Sequence, residues 1–228
     1  MNKFLLLIFV LLIKISSLSA TEISDFIDKR KCNQIIDKEI YTVCYSYKYK
    51  GALGGWTRLD GEKVNAESIK KRPRFYENKS IPEKYRTKYS DYTGIGETWN
   101  RGHFIISDAD ADYSQESLNL VYDMSQIQPQ ASMVNQKTWL KVERYGRVIA
   151  TKLRYVNSIT IANYKNANKT IKNNIVVPSG FYRIYYNDEA NFKKCFYYKN
   201  DPHINPSEDK LKEHIVDCGS VQNFVSDR

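Results

Sequence analysis

Three histidines occur in the 228-residue chain, and one of them, His103, follows an arginine and a glycine in the stretch NRGHFII. If the backbone is extended there, side chains two apart share a face, so Arg101 and His103 point the same way. A histidine titrates near neutral pH and can take a proton from water. An arginine beside it can clamp a phosphate. Gly102 between them has no side chain, so a large anion can approach the backbone. An arginine next to a histidine is more commonly an ordinary surface pair, so the stretch needs partners elsewhere in the chain.

The segment NQKTWLKVERYGR offers them. Asn135 and Glu143 lie eight residues apart, which on a helix is about 12 Å along the axis and roughly 80° around it. Two such groups can flank one site without both binding one ion directly. The Asn135 amide oxygen is a hard ligand suited to Mg²⁺, an ion that usually keeps several waters, and Glu143 would hold those waters. The bland alternative is a solvated helix face, with Glu143 and Arg147 an ordinary ion pair one turn apart.

Several elements must position these groups. The β-branched and aromatic run at 40–50 reads as a strand, GALGG as a turn, WTRL as a return to extended structure and Asp60-Gly61 as another turn. The basic, aromatic stretch around Pro73 and Pro82 reads as a loop crossing a surface. ESLNLVYDMSQIQPQ starts helical and ends in a proline-containing connection. Met133, Val134, Leu140, Val142 and Val148 fit an amphipathic helix imperfectly, and Gly146 weakens its later half. YVNSITIANY and NNIVVPSGFYRIYY read as strands, and CFYYKND ends the sheet. Strands around one strong central helix indicate an α+β fold.

The N-terminus has the layout of a secretory signal peptide. Lys3 precedes an unbroken apolar run at 4–13, and small residues follow up to Ala20. That run is short for a membrane span, although an uncleaved anchor is the rival reading. The expectation is a leader at 1–20 and a single domain at 21–228, exported to the periplasm or secreted. With no second long apolar run, no stable membrane association is expected after cleavage. Two lysines of the net +9 fall in the leader, leaving +7, a charge that draws the protein to polyanions such as nucleic acid. Cys32, Cys44, Cys195 and Cys218 suggest two disulfides in an exported chain. Nearness in sequence favours Cys32–Cys44 and Cys195–Cys218. The rival is a zinc site formed by Cys195, His203, His214 and Cys218.

NRGH, then SQIQPQ, then NQKTWLKVERYGR, in that order and with that helix spacing, resembles the DNA/RNA non-specific endonuclease family, whose fold is the ββα-metal (His-Me finger) fold. With weaker support from KRPRF and VVPSGFYRIYY, the resemblance covers roughly residues 70–186. It implies an endonuclease that hydrolyses phosphodiester bonds of DNA and RNA through phosphate contacts, leaves 5′-phosphate ends, and uses Mg²⁺, with Mn²⁺ as a substitute. By the same resemblance His103 is the general base, Asn135 the direct metal ligand and Glu143 the acid acting on water at the ion. Arg101 and Arg147 match arginines tied to substrate phosphate or site architecture, and Arg72 or its near neighbour Arg74 is the upstream phosphate-binding arginine. Two positions depart from the family pattern: Asn100 stands where an aspartate is usual, and Gln126 replaces an asparagine. Asp108, Asp110 and Asp112 read as a solvated acidic loop rather than a metal cluster. The rival functions are a non-catalytic exported nucleic-acid-binding protein and a phosphoesterase acting on small substrates. Whether an inhibitor protein exists stays open.

Overall fold

In chain order the elements are β1 (Gln34–Asp37), β2 (Tyr41–Ser46), β3 (Gly51–Asp60), β4 (Trp99–His103), α1 (Asp108–Ala111), α2 (Gln115–Val121), β5 (Ile127–Ala131), α3 (Trp139–Leu153), β6 (Tyr155–Asn163), β7 (Gly180–Asn187), β8 (Phe192–Lys199) and β9 (Ile215–Val216). The computed structural model describes residues 23–95 and 98–221, so the leader expected at 1–20 lies outside the described residues. Seven strands form one sheet in the order β1-β2-β3-β6-β7-β8-β9, every neighbouring pair antiparallel. β4 and β5 pair separately and antiparallel. The helix that follows them, α3, packs on β3, β6 and β7. The architecture is α+β, and β4, β5 and α3 make a strand–strand–helix unit on one face of the large sheet.

Alternation along the strands gives the sheet two different faces. On β6 and β7, Ile159, Ile161 and Ile184 pack with Phe26, Ile27, Cys44 and Cys195 on the face away from α3. Phe181 and Tyr185 on β7 turn to the other face, where Phe181 meets Trp139 and Tyr185 donates to the Val142 carbonyl of α3 (3.1 Å). Disulfides Cys32–Cys44 and Cys195–Cys218 fasten the two ends of the described chain to β2 and β8. The zinc reading is therefore overturned: both of its sulfurs are bonded, in the second disulfide. His214 instead stacks on Tyr198 and contacts the Tyr197 carbonyl and Asp209.

Four local expectations change. GALGG lies inside β3, because pairing with β2 on one edge and β6 on the other outweighs the local turn chemistry of glycine. IQPQA is strand β5, not a connection. Pro129 is tolerated because this strand is not in the interior of a wide sheet. Its buried backbone is closed by side chains instead, with Asn200 accepting from Ala131 N (2.7 Å) and donating to the Pro129 carbonyl (2.9 Å). The sheet does not end at β8, since β9 adds to it beside the Cys195–Cys218 bridge. On the central helix, Met133, Leu140 and Val148 are exposed, while Trp139, Val142, Glu143, Gly146 and Ala150 are buried. A π-helical turn at Val134–Thr138 precedes α3 and shifts the phase of its buried face. Gly146 sits beneath the Tyr185 ring, where an added Cβ would collide, so it lets the helix approach the sheet.

Candidate active site

Strand β4 is extended, and Trp99, Arg101 and His103 all line one open cleft of about 780 Å³. Gly102 faces the other way. A Cβ there would strike the Gln130 side chain, so this glycine is required by packing behind the strand rather than by a ligand in front of it. The same cleft is lined by Arg72, Asn135 and Glu143. The structure therefore brings together His103, Arg101, Asn135, Glu143 and Arg72 from three separate stretches of chain. Asn135 sits in the π-helical turn and Glu143 in the α-helix that follows it, and both line the cleft.

His103 Nε2 is buried and has no protein hydrogen-bond partner. Phe75 and Tyr122 flank its ring, at 5.5 and 5.0 Å between centroids. Burial lowers the His103 pKa from its usual 6.5; Asp108 and Asp110 pull it up and Arg72 pulls it down. A neutral imidazole with a free nitrogen can accept a proton. Glu143 is 3% exposed. Burial first, then the charge of Asp110, push its carboxyl up to about 8, against the lowering influence of Arg183 and Arg147.

The arginines differ in how they are held. Arg101 lies over the Tyr89 ring (4.2 Å to the centroid) and near Phe75 (5.7 Å). Among the described residues it has no acidic partner. A ring holds a guanidinium by its face and leaves the in-plane N–H groups free for an anion. Arg72 is exposed and pairs with Asp108 Oδ2 (3.1 Å), whereas Arg74 is exposed and does not line the cleft. Arg147 is not brought to the cleft lining. It pairs with Asp110 Oδ1 (2.8 Å) rather than with Glu143 one turn away. Asp110 in turn accepts from the Ser107 backbone N–H (3.2 Å) and so orders the segment after His103. The acidic run is thereby engaged by arginines rather than left as a solvated loop, and Asp110 is buried.

Two residues behind the site hold that same segment. Gln126 is fully buried; its amide oxygen accepts from the backbone N–H groups of Ile105 and Ile106 (3.3 and 3.2 Å), and its Nε2 donates to the Val121 carbonyl (2.6 Å). Arg183, 1% exposed, donates to the carbonyls of Phe104 (3.0 Å) and Ile105 (2.8 Å) and to Ser158 Oγ (3.0 Å). Sequence reasoning passed over Arg183. Its signal was an arginine sharing a strand face with Phe181 and Tyr185 in GFYRIYY, a buried position by period-two alternation. Asn100, in place of the expected aspartate, accepts from Ser132 Oγ (3.1 Å).

The residues present fit a hydrated divalent ion. The Asn135 amide and Glu143 carboxylate are oxygen donors in one cleft, and among the described residues neither has a protein hydrogen-bond partner. A cation would relieve the unfavourable charge of Glu143. Among the described residues no three His, Cys, Asp or Glu side chains are grouped so as to hold an ion. An ion bound here would keep much of its water, as Mg²⁺ does.

A family profile described as DNA/RNA non-specific endonuclease matches residues 23–226. Mitochondrial endonuclease G of Homo sapiens is 25% identical over 162 residues, covering 66% of this chain and 54% of that protein. Nuclease C1 of Cunninghamella echinulata var. echinulata is 24% identical over 184 residues, 73% of this chain and 70% of that protein. The chain spans about half the length of the endonuclease G proteins it matches. The solved EndoG/EndoGI complex has the same fold, with a TM-score of 0.75 at 19% identity over 91% of each chain. With a profile running through the described residues, and NRGH and NQKTWLKVERYGR meeting in one cleft, the chain belongs to the DNA/RNA non-specific endonuclease family.

Proposed function

We propose that this protein is an exported, Mg²⁺-dependent endonuclease that hydrolyses DNA and RNA with little sequence preference and leaves 5′-phosphate ends. The observation that carries the reading is that His103 lines the same open cleft as Asn135 and Glu143. A water in line with the scissile phosphorus gives a proton to the His103 imidazole as its oxygen bonds to phosphorus, and the bond from phosphorus to the 3′ oxygen breaks, that oxygen taking a proton from water in the open cleft. The free N–H groups of Arg101 steady the phosphate. Glu143 and Asn135 would hold the ion with its waters. When bound, the ion supplies Lewis-acid stabilisation of the charge that grows on the phosphate and the departing oxygen. Phosphate contacts carry no sequence information, so both nucleic acids serve as substrates.

The export part of the reading rests on the leader-like residues 1–20 and on two disulfides, which persist in oxidising compartments. The fold likeness to EndoG, solved in complex with EndoGI, supports an inhibitor protein as a further partner. The test is plasmid and RNA digestion by residues 21–228 with Mg²⁺ and with EDTA. Digestion that stops in EDTA and in His103→Ala supports the reading. Binding without cleavage in the wild type would favour the non-catalytic alternative.

A further inference from the structure

Between Glu143 and Asp188 the chain carries no acidic residue. Within this stretch the loop at 164–174, YKNANKTIKNN, presents Lys165, Lys169 and Lys172 to solvent. It is an anchored loop. Ile171, Ile175 and Val177 pack beneath it with Tyr92, Met124 and Ile127. Asn173 adopts a left-handed backbone (φ 59°), accepts from Lys50 Nζ (2.7 Å) and donates to the Arg86 carbonyl (3.0 Å). The carboxylate that touches the loop is Asp91, which accepts from Asn173 Nδ2 (3.2 Å) and from the Lys88 backbone N–H (2.7 Å) and is 8% exposed.

Two of the lysines stand on the rim of the active-site cleft. Lys172 Nζ donates to the Thr93 carbonyl (2.6 Å), and Lys169 Nζ lies 5.9 Å from the Trp99 ring centroid. Thr93, Gly94 and Trp99 all line the cleft. A pair of fixed cations at the mouth of a site that takes a phosphodiester is what a longer polyanion would meet as it leaves that site. Structured lysines lose little side-chain entropy on contact, and each phosphate neutralised releases counterions.

We propose that Lys169 and Lys172 form a phosphate-tracking subsite for the nucleic-acid strand beyond the scissile phosphate. This rests on the nuclease reading and adds to it: the subsite binds the length of the strand, not the reacting group. It predicts that Lys169→Ala/Lys172→Ala leaves kcat at saturation unchanged and raises KM for a long polynucleotide several-fold near physiological salt. In EDTA, the salt dependence of binding a fluorescent oligonucleotide should fall by about 1 to 2 in log–log slope. Lys29→Ala/Lys193→Ala removes the same charge beside Trp56 and Phe26, away from the cleft, and should leave the slope as in the wild type. A tracking variant with unchanged slope and KM, or a control variant with an equal loss, overturns the subsite while the nuclease reading stands. A wild type that neither cuts nor binds nucleic acid in a salt-dependent way overturns both.

Discussion

The two faces of the seven-stranded sheet follow different rules. The face away from α3 is an ordinary apolar layer of Phe26, Ile27, Ile159, Ile161 and Ile184, flanked by both disulfides. The face toward α3 buries Gln126, Gln128, Gln130, Glu143 and Arg183. Several polar atoms on that side have no protein partner, including His103 Nε2, Arg183 Nε and both polar atoms of the Gln130 amide. A buried polar group left unpaired costs about 1–3 kcal/mol. Both layers bury apolar side chains, with Phe104, Trp139, Val142 and Phe181 on the α3 side, but only the α3 side also carries the cleft lined by His103, Asn135 and Glu143. Mutations on the two faces should therefore separate stability from activity.

The sharpest separation is at His103. His103→Ala should lower nuclease activity roughly a hundred- to ten-thousand-fold, with a Tm no lower than the wild type. In the wild type, the lowered pKa of His103 puts the acid limb of kcat/KM below pH 6.5, because activity is lost only as the falling pH protonates the ring. An acid limb above that value would contradict the burial argument.

Glu143→Gln should abolish activity and yet stabilise the metal-free protein. A carboxyl raised from 4.5 to about 8 on folding favours the folded state at low pH, and that contribution is lost as pH rises through this interval. In EDTA the variant should match the wild type near pH 4 and exceed it above pH 8, by about 5 kcal/mol at most. Urea titrations at the two pH values decide this. Equal stability at both would mean that Glu143 is compensated in some other way.

On the other face, Cys195→Ser/Cys218→Ser opens a 23-residue loop. It should cost about 3 kcal/mol of stability and leave kcat per folded molecule unchanged. A loss of kcat with no change in Tm would erase the distinction between the faces. The smallest effect is expected at Tyr89, which holds Arg101 through its ring. Tyr89→Ala should reduce kcat/KM about fivefold, the equivalent of about 1 kcal/mol of cation–π interaction, and Tyr89→Phe should restore it. If Phe does not rescue, the hydroxyl rather than the ring is what matters.

Much of the cleft was legible because its chemistry sits in short, ordered motifs. NRGH on an extended strand puts Arg101 and His103 on one side by alternation alone, and the resemblance placed Asn135 and Glu143 at the same centre. What escaped was set by tertiary contact. Nothing local in VNQKT announces a π-helical turn, yet Asn135 sits in that turn and Glu143 in the helix that follows, whose buried face leaves Leu140 and Val148 outside. Glu143 and Arg147 have the spacing of an ion pair, but Asp110, distant in sequence, takes the arginine. GALGG carries turn residues, and two neighbouring strands hold it flat. Gln126, read as a departure from the family pattern, supports the backbone after His103, whereas Arg183 was hidden in a strand whose alternation, followed residue by residue, points it inward.

The central claim is that His103, Asn135 and Glu143 converge on one hydrated cation, and the presence of only three histidines makes it directly measurable. Imidazole NMR signals should be recorded on an untagged chain titrated with Mn²⁺. The account predicts that His103 broadens first and most strongly, ahead of His203 and His214, and that Asn135→Ala removes this selectivity. Broadening of His203 or His214 ahead of His103, or selective broadening of His103 that survives Asn135→Ala, would contradict it.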